Sequence, residues 1–113
     1  MAFDEGLAQR IRDVLDRRMD LTGRIVEKKM FGGIAFMLQG NMSMGVIKED
    51  MVIRADKDKH ESMLSLPHAR PMDFTGRPMK GWVYVDAASI DDDEVFEEWV
   101  LRGIDYALSL PAK

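Results

Sequence analysis

The chain contains no cysteine. Disulfides, thiolate metal sites and cysteine nucleophiles are therefore excluded. A cytosolic setting is expected, because small secreted domains more often carry covalent staples. No apolar run approaches the ~20 residues that a membrane span needs, so no membrane association is expected. The first residues, Met-Ala-Phe-Asp-Glu-Gly, have neither the basic block nor the apolar block of a secretory leader. An excess of basic residues is also missing: 16 Lys and Arg face 20 Asp and Glu, for a net charge of −4. A nucleic-acid binder would be expected to show a basic patch or stripe, so nucleic acid is not the expected partner. What remains is an ordinary globular composition, 46% hydrophobic and 32% charged, over 113 residues. That length suits one domain, residues 1–113, burying roughly two-thirds of its unfolded surface. Ten methionines are the one compositional oddity.

Residues 4–18 read as a helix, with Leu7, Ile11, Val14 and Leu15 on one stripe, Asp4 and Glu5 at its start and Arg17 and Arg18 at its end. Short apolar segments follow: Ile25–Phe31, Ile34–Leu38, Met42–Ile47 and Met51–Arg54. Gly32-Gly33 marks a turn or bulge, Gly40-Asn41 a hairpin and Glu49-Asp50 a short turn. Connections this short join antiparallel strands, because parallel neighbours need a crossover of about a dozen residues. The stretch is a β-meander. Residues 56–65 suit a short helix capped by Asp56 or Asp58. Pro67 and Pro71 bracket an extended segment ending near Phe74, Thr75-Gly76-Arg77-Pro78 forms a turn, and Lys80–Val85 is a strand. The closing helix carries Val95, Phe96, Trp99, Val100, Ile104, Ala107 and Leu108 as an apolar stripe, with Ser89 or Asp91 as N-cap and Pro111 at its end. Both terminal helices have one apolar stripe, so both are expected on one face of the sheet. The fold class is α+β, a two-layer sandwich.

Met30-Phe31-Gly32-Gly33, with Ile34-Ala35-Phe36 and a hairpin ending in Val52-Ile53-Arg54-Ala55-Asp56, resembles the N-terminal domain of the TfoX (Sxy) family. So do Pro71-Met72-Asp73-Phe74, Gly81-Trp82-Val83-Tyr84-Val85 and the last helix with Glu98-Trp99 and Tyr106-Ala107. The resemblance spans roughly residues 5–110. It implies a secretion-chaperone-like sandwich ordered helix, three strands, helix, two strands, helix. The founding members are bacterial regulators of competence for DNA uptake that act with a transcription factor and carry a second, C-terminal domain. This chain is expected to be a stand-alone, single-domain member.

Catalytic and metal-binding constellations are weakly supported by the residues. Gly32-Gly33 is followed by a strand and by no Gly-Lys-Ser/Thr, so it is neither a P-loop nor a dinucleotide turn. His60 and His68 match no zinc spacing and read as solvated. No serine among Ser43, Ser62, Ser65 and Ser89 sits in a nucleophile elbow. Asp91-Asp92-Asp93-Glu94 lacks the alternation of a calcium loop and reads as favourable charge at a helix N-terminus. Met42 and Met44, two apart on one strand face, have a spacing suited to Cu(I), but core packing or a partner surface is the simpler role. Arg10, Arg12, Arg17, Arg18, Arg24, Lys28 and Lys29 alternate with acids and read as a solvated surface. No catalytic residue, cofactor or metal is therefore assigned.

A two-layer domain leaves one sheet face to water, which should be polar at every second position. Ile34-Ala35-Phe36-Met37-Leu38 and Trp82-Val83-Tyr84-Val85 are apolar or aromatic on both faces. Ala35 and Met37, with either Trp82 and Tyr84 or Val83 and Val85, then fall on the outer face. Trp, Tyr and Met are enriched at interfaces, so Ala35, Met37, Trp82 and Tyr84 are the candidate partner surface. The expected function is a non-enzymatic protein-interaction module, regulatory by resemblance, pairing with itself as a homodimer or with another protein. The rivals are a nucleic-acid-associated regulatory domain and a small enzyme.

Overall fold

The computed structural model describes residues 4–18, 21, 23–30, 32–71 and 80–111. Phe31, most of the expected Pro71–Phe74 segment and the expected turn at Thr75–Pro78 lie outside the described residues, as does the side chain of Met30. Helix α1 runs Glu5–Asp16, and the Asp4 carboxylate accepts the Leu7 N–H at 3.1 Å. A cap of this kind satisfies one of the orphan donors of the first turn. Leu7, Ala8, Ile11, Val14 and Leu15 are buried.

Four strands then form the meander: β1 (Ile25–Met30), β2 (Gly33–Leu38), β3 (Asn41–Ile47) and β4 (Asp50–Arg54). The residues themselves indicate four strands here, one more than the resemblance implied. The β2–β3 turn is Gln39-Gly40, with φ of 53° and 84°. Positive φ at both central residues is the type I′ geometry that matches strand twist. Asn41, expected in the turn, instead opens β3 opposite Leu38. The next turn is likewise one residue earlier than expected: Lys48-Glu49, with Asp50 already paired to Ile47. Gly33 is a close-approach position, since a Cβ there would run into the Val46 carbonyl across the ladder.

A 3₁₀ turn, Lys57–Lys59, is capped by Asp56, whose carboxylate accepts the Asp58 N–H at 3.0 Å, and α2 (His60–Leu64) follows directly. Strands β5 (Ala69–Pro71) and β6 (Trp82–Val85) complete a six-stranded antiparallel sheet ordered β1-β2-β3-β4-β6-β5. Helix α3 spans Asp93–Ser109. Its N-cap is Asp92, which accepts the Glu94 N–H at 2.8 Å, and not Ser89 or Asp91. Ser89 belongs to a preceding 3₁₀ turn, where its hydroxyl donates to the Asp86 carbonyl. Leu110 takes φ −92°, ψ 149°. The extended conformation imposed on a residue before proline explains the stop ahead of Pro111.

Both α1 and α3 pack on one sheet face, as their single stripes require. Ile34, Phe36, Met44, Val46, Met51, Ile53, Val83 and Val85 share one buried cluster with Ile11, Phe96, Trp99, Val100 and Ile104. Fully burying each such side chain stabilises by about 1.5–3 kcal/mol. The register carries a β-bulge: Phe36 pairs with Met44 but Met37 with Met42, so Ser43 is the extra residue. The Ser43 hydroxyl is buried and donates to the Phe36 carbonyl at 3.1 Å. Helix α3 crosses at the bulge with Gly103, where an added Cβ would lie 2.5 Å from the Ser43 carbonyl oxygen.

Candidate functional site

The strand pairing fixes which residues face away from the helices. Ala35 pairs with Gly45, Gly45 with Val52 and Val52 with Tyr84; Met37 pairs with Met42, and Arg54 with Trp82. These residues alternate with the helix-facing set, so Ala35, Met37, Trp82 and Tyr84 share the outer face, and Val83 and Val85 are in the core. The face is less open than its composition suggests. Ala35 and Val52 are 1% and 0% exposed, and the Met42 methyl lies over Gly45, 3.1 Å from where a Cβ would stand. Met37, Met42, Trp82 and Tyr84 are half-buried. Among the described residues the exposed large hydrophobic is Val26, at 54%, on the edge strand β1.

Arginines cover the aromatics of this face. The Arg70 guanidinium lies 4.9 Å from the Tyr84 ring centroid and binds Asp50 at 2.5 Å. The hydrogen bond that Arg70 donates to the Asp50 carboxylate holds the guanidinium above its ordinary pKa. Arg54 lies 5.3 Å from the Trp82 centroid and 5.3 Å from that of Tyr106 on α3. Cation–π contacts of this length are worth about 0.5–1 kcal/mol when exposed. Arg54 and Arg70 were not singled out from the sequence. Their signal was the strand register, since Arg54 faces Trp82 only once β6 is known to pair with β4.

A second feature, a cleft of about 550 Å³, lies between the region of α2 and the last two turns of α3. Ala55, Met63 and Leu66 give it apolar walls; Lys59, Arg102 and Tyr106 line it with Asp56 and Asp105. Arg102 and Tyr106, four apart on α3, are on the same helix face, and the Arg102 guanidinium stacks 4.5 Å from the Trp99 centroid.

The geometry corrects some sequence expectations and agrees with others. His60 is 5% exposed, not solvated, and its Nδ1 accepts the Gly81 N–H at 3.1 Å. His68 is half-buried, with Nδ1 2.6 Å from the Ser89 hydroxyl. Met42 and Met44 do not share a face, because the Ser43 bulge between them sends Met44 into the core. Gly32 is a turn residue with φ 74°, and Gly33 begins β2. Asp91–Glu94 are exposed at the start of α3, with Asp93 3.6 Å from Arg10. Among the described residues no three His, Asp or Glu groups converge as a metal site would require.

Among the described residues, no helix is long and apolar enough to cross a membrane. No curated protein and no solved structure matches the chain. The family model for the TfoX N-terminal domain matches residues 17–107, from the end of α1 to the last turns of α3. That match takes in the whole sheet, the outer face and most of the α2–α3 cleft, and the chain belongs to the TfoX N-terminal domain family.

Proposed function

We propose that this domain is a non-enzymatic, regulatory protein-interaction module that pairs through the sheet face turned away from its helices. The observation that carries this reading is the half-buried cluster Met37, Met42, Trp82 and Tyr84, bordered by Arg54 and Arg70. Aromatic, methionine and arginine side chains are the types over-represented at interface centres. A guanidinium stacked on a ring is also already ordered, which lowers the entropy cost of docking. The first partner proposed is a second copy of the chain, in a bacterial cytoplasm; the setting and the competence-related role follow the family alone.

Mass in solution, measured by light scattering over a hundredfold concentration range for wild type and Met37→Asp, tests the reading. A wild-type dimer that the substitution splits, with the circular dichroism spectrum unchanged, supports it. A monomer at every concentration rules out self-pairing and leaves a different protein as the occupant. A dimer unaffected by Met37→Asp places pairing elsewhere and defeats the assignment of this face.

A second reading has one specific observation in its favour. Lys28, Arg54 and Arg70 lie on the outer face with Trp82 and Tyr84, opposed there by Asp50. Stacking platforms edged by cations bind single-stranded nucleic acid. The chain's net charge of −4 ranks this second. Binding to an oligonucleotide that weakens steeply with salt, and is lost in Trp82→Ala, would promote it.

A further inference from the structure

We propose that the cleft between α2 and α3 is a binding site for a small organic acid: a carboxylate attached to a ring or branched apolar body. This goes beyond the protein-pairing role and uses a different surface. Pockets for small ligands typically measure roughly 300–1,000 Å³ and combine apolar walls with a few placed polar groups. At about 550 Å³, with Ala55, Met63 and Leu66 on its apolar side, this cleft has that size and character.

The arginines select the charge. Arg10, Arg12, Arg17 and Arg70 are each engaged by a carboxylate, those of Asp93, Glu27, Glu97 and Asp50. Arg102, which lines the cleft, has no carboxylate partner among the described residues; its guanidinium carbon lies over the Trp99 ring, 4.5 Å from the centroid. Arg54, which lies over Trp82 on the outer face, also reaches the cleft residue Tyr106 but does not itself line the cleft. Stacking fixes the plane of a guanidinium and leaves its N–H fork available for a bidentate carboxylate. Lys59 adds a second lining cation from the opposite wall. Two acids also line the site. Asp56 already accepts the Asp58 N–H as a cap, and Asp105 is exposed at the rim. The apolar body would lie against Met63 and Leu66, beside the Tyr106 ring, with the carboxylate at Arg102 and Lys59.

The probe pair is 1-naphthylacetate and its uncharged analogue 1-naphthylacetamide, each titrated into ¹⁵N-labelled protein. The acid is expected to shift the amides of Met63, Leu66, Arg102 and Tyr106 and to bind at least tenfold more tightly than the amide. Arg102→Gln should weaken the acid at least fivefold and leave the amide unchanged. Ser62→Trp, at an exposed lining position on α2, should block both while the rest of the spectrum stays native. The proposal is overturned if the acid does not bind, if the amide binds as tightly, or if the shifts fall on the outer-face residues Met37, Trp82 and Tyr84. Self-association read by light scattering is independent of all three results, so either reading can fail alone.

Discussion

Replacing Gly103 with alanine sets two effects of opposite sign against each other. Within a helix, alanine is favoured over glycine by about 1 kcal/mol, so an unobstructed site would gain stability. Gly103, however, is buried where α3 crosses the β3 bulge. Its Cβ would stand 2.5 Å from the Ser43 carbonyl oxygen and 3.2 Å from both the Ser43 carbonyl carbon and the Met44 methyl. The Met44 methyl can swing aside, but the Ser43 carbonyl is backbone in the middle of the sheet. Non-bonded contacts settle at about 3.5 Å, so helix and strand would have to separate by a sizeable fraction of an ångström. Overpacking of this kind typically costs about 1–3 kcal/mol, and the clash outweighs the propensity gain. The expected result is a net loss of up to about 2 kcal/mol, or a melting temperature lower by up to roughly 8 °C. Urea unfolding followed by circular dichroism measures it, with an unchanged m-value showing that the same surface is exposed on unfolding. Gly6→Ala is the control: it lies in the exposed first turn of α1, where the nearest atom is the Asp4 side chain at 3.3 Å. It should be neutral or gain a few tenths of a kcal/mol. If Gly103→Ala matches or exceeds its control in stability, α3 does not approach the bulge this closely.

Other outcomes follow from single contacts. Asp92→Ala should cost about 1 kcal/mol as a lost N-cap, while Asp91→Ala and Ser89→Ala should each cost less than about half of that; thermal melts separate them. His60→Leu should destabilise by about 1–3 kcal/mol in urea titrations, because the buried Gly81 N–H loses its acceptor. Arg70→Met should cost under about 1 kcal/mol, since its pair with Asp50 is half-exposed, and the cost should shrink further in high salt. The Arg12–Glu27 hydrogen bond raises the Arg12 pKa from an already high value. A raised pKa stabilises below the unfolded value and is lost only as pH rises through the folded one, so this contribution should be flat across neutral pH.

The large periodic features were legible in the sequence because they repeat. The stripe from Phe96 to Ala107 marks one helix face, and the short apolar segments broken by Gly and polar pairs mark a meander. The outer-face set Ala35, Met37, Trp82 and Tyr84 was also reachable, as one of two alternatives separated only by strand phase. Features that depend on one residue were not legible. Three acids in a row at 91–93 offer equivalent caps, and only the path of the preceding 3₁₀ turn selects Asp92. Gly40 marked a hairpin without showing that Gln39 shares its left-handed conformation. The bulge at Ser43 has no glycine or proline to announce it, and it alone separates Met42 from Met44. His60 lies in a polar run whose composition suggests solvent, yet its ring is buried against a backbone N–H contributed by a residue 21 positions on. The cleft was invisible for the same reason: its walls come from segments that meet only after folding.

The position of β6 has a consequence for how the protein is made. The strand is the last of the sheet to be synthesised, yet it sits inside the order β1-β2-β3-β4-β6-β5 and not at its edge. The helix that covers the centre of the sheet comes later still. As the chain leaves the ribosome, the meander can assemble from neighbouring hairpins, but its edge at β4 stays bare until Val85 can reach Met51. Phe36, Met44, Val46 and Ile53 stay wet until α3 emerges. Unpaired edges and exposed apolar surface are what make partly made proteins stick to one another. The interval between translating Arg54 and translating Ala107 is therefore the vulnerable one, and truncated chains ending within it should require chaperones that full-length chains do not.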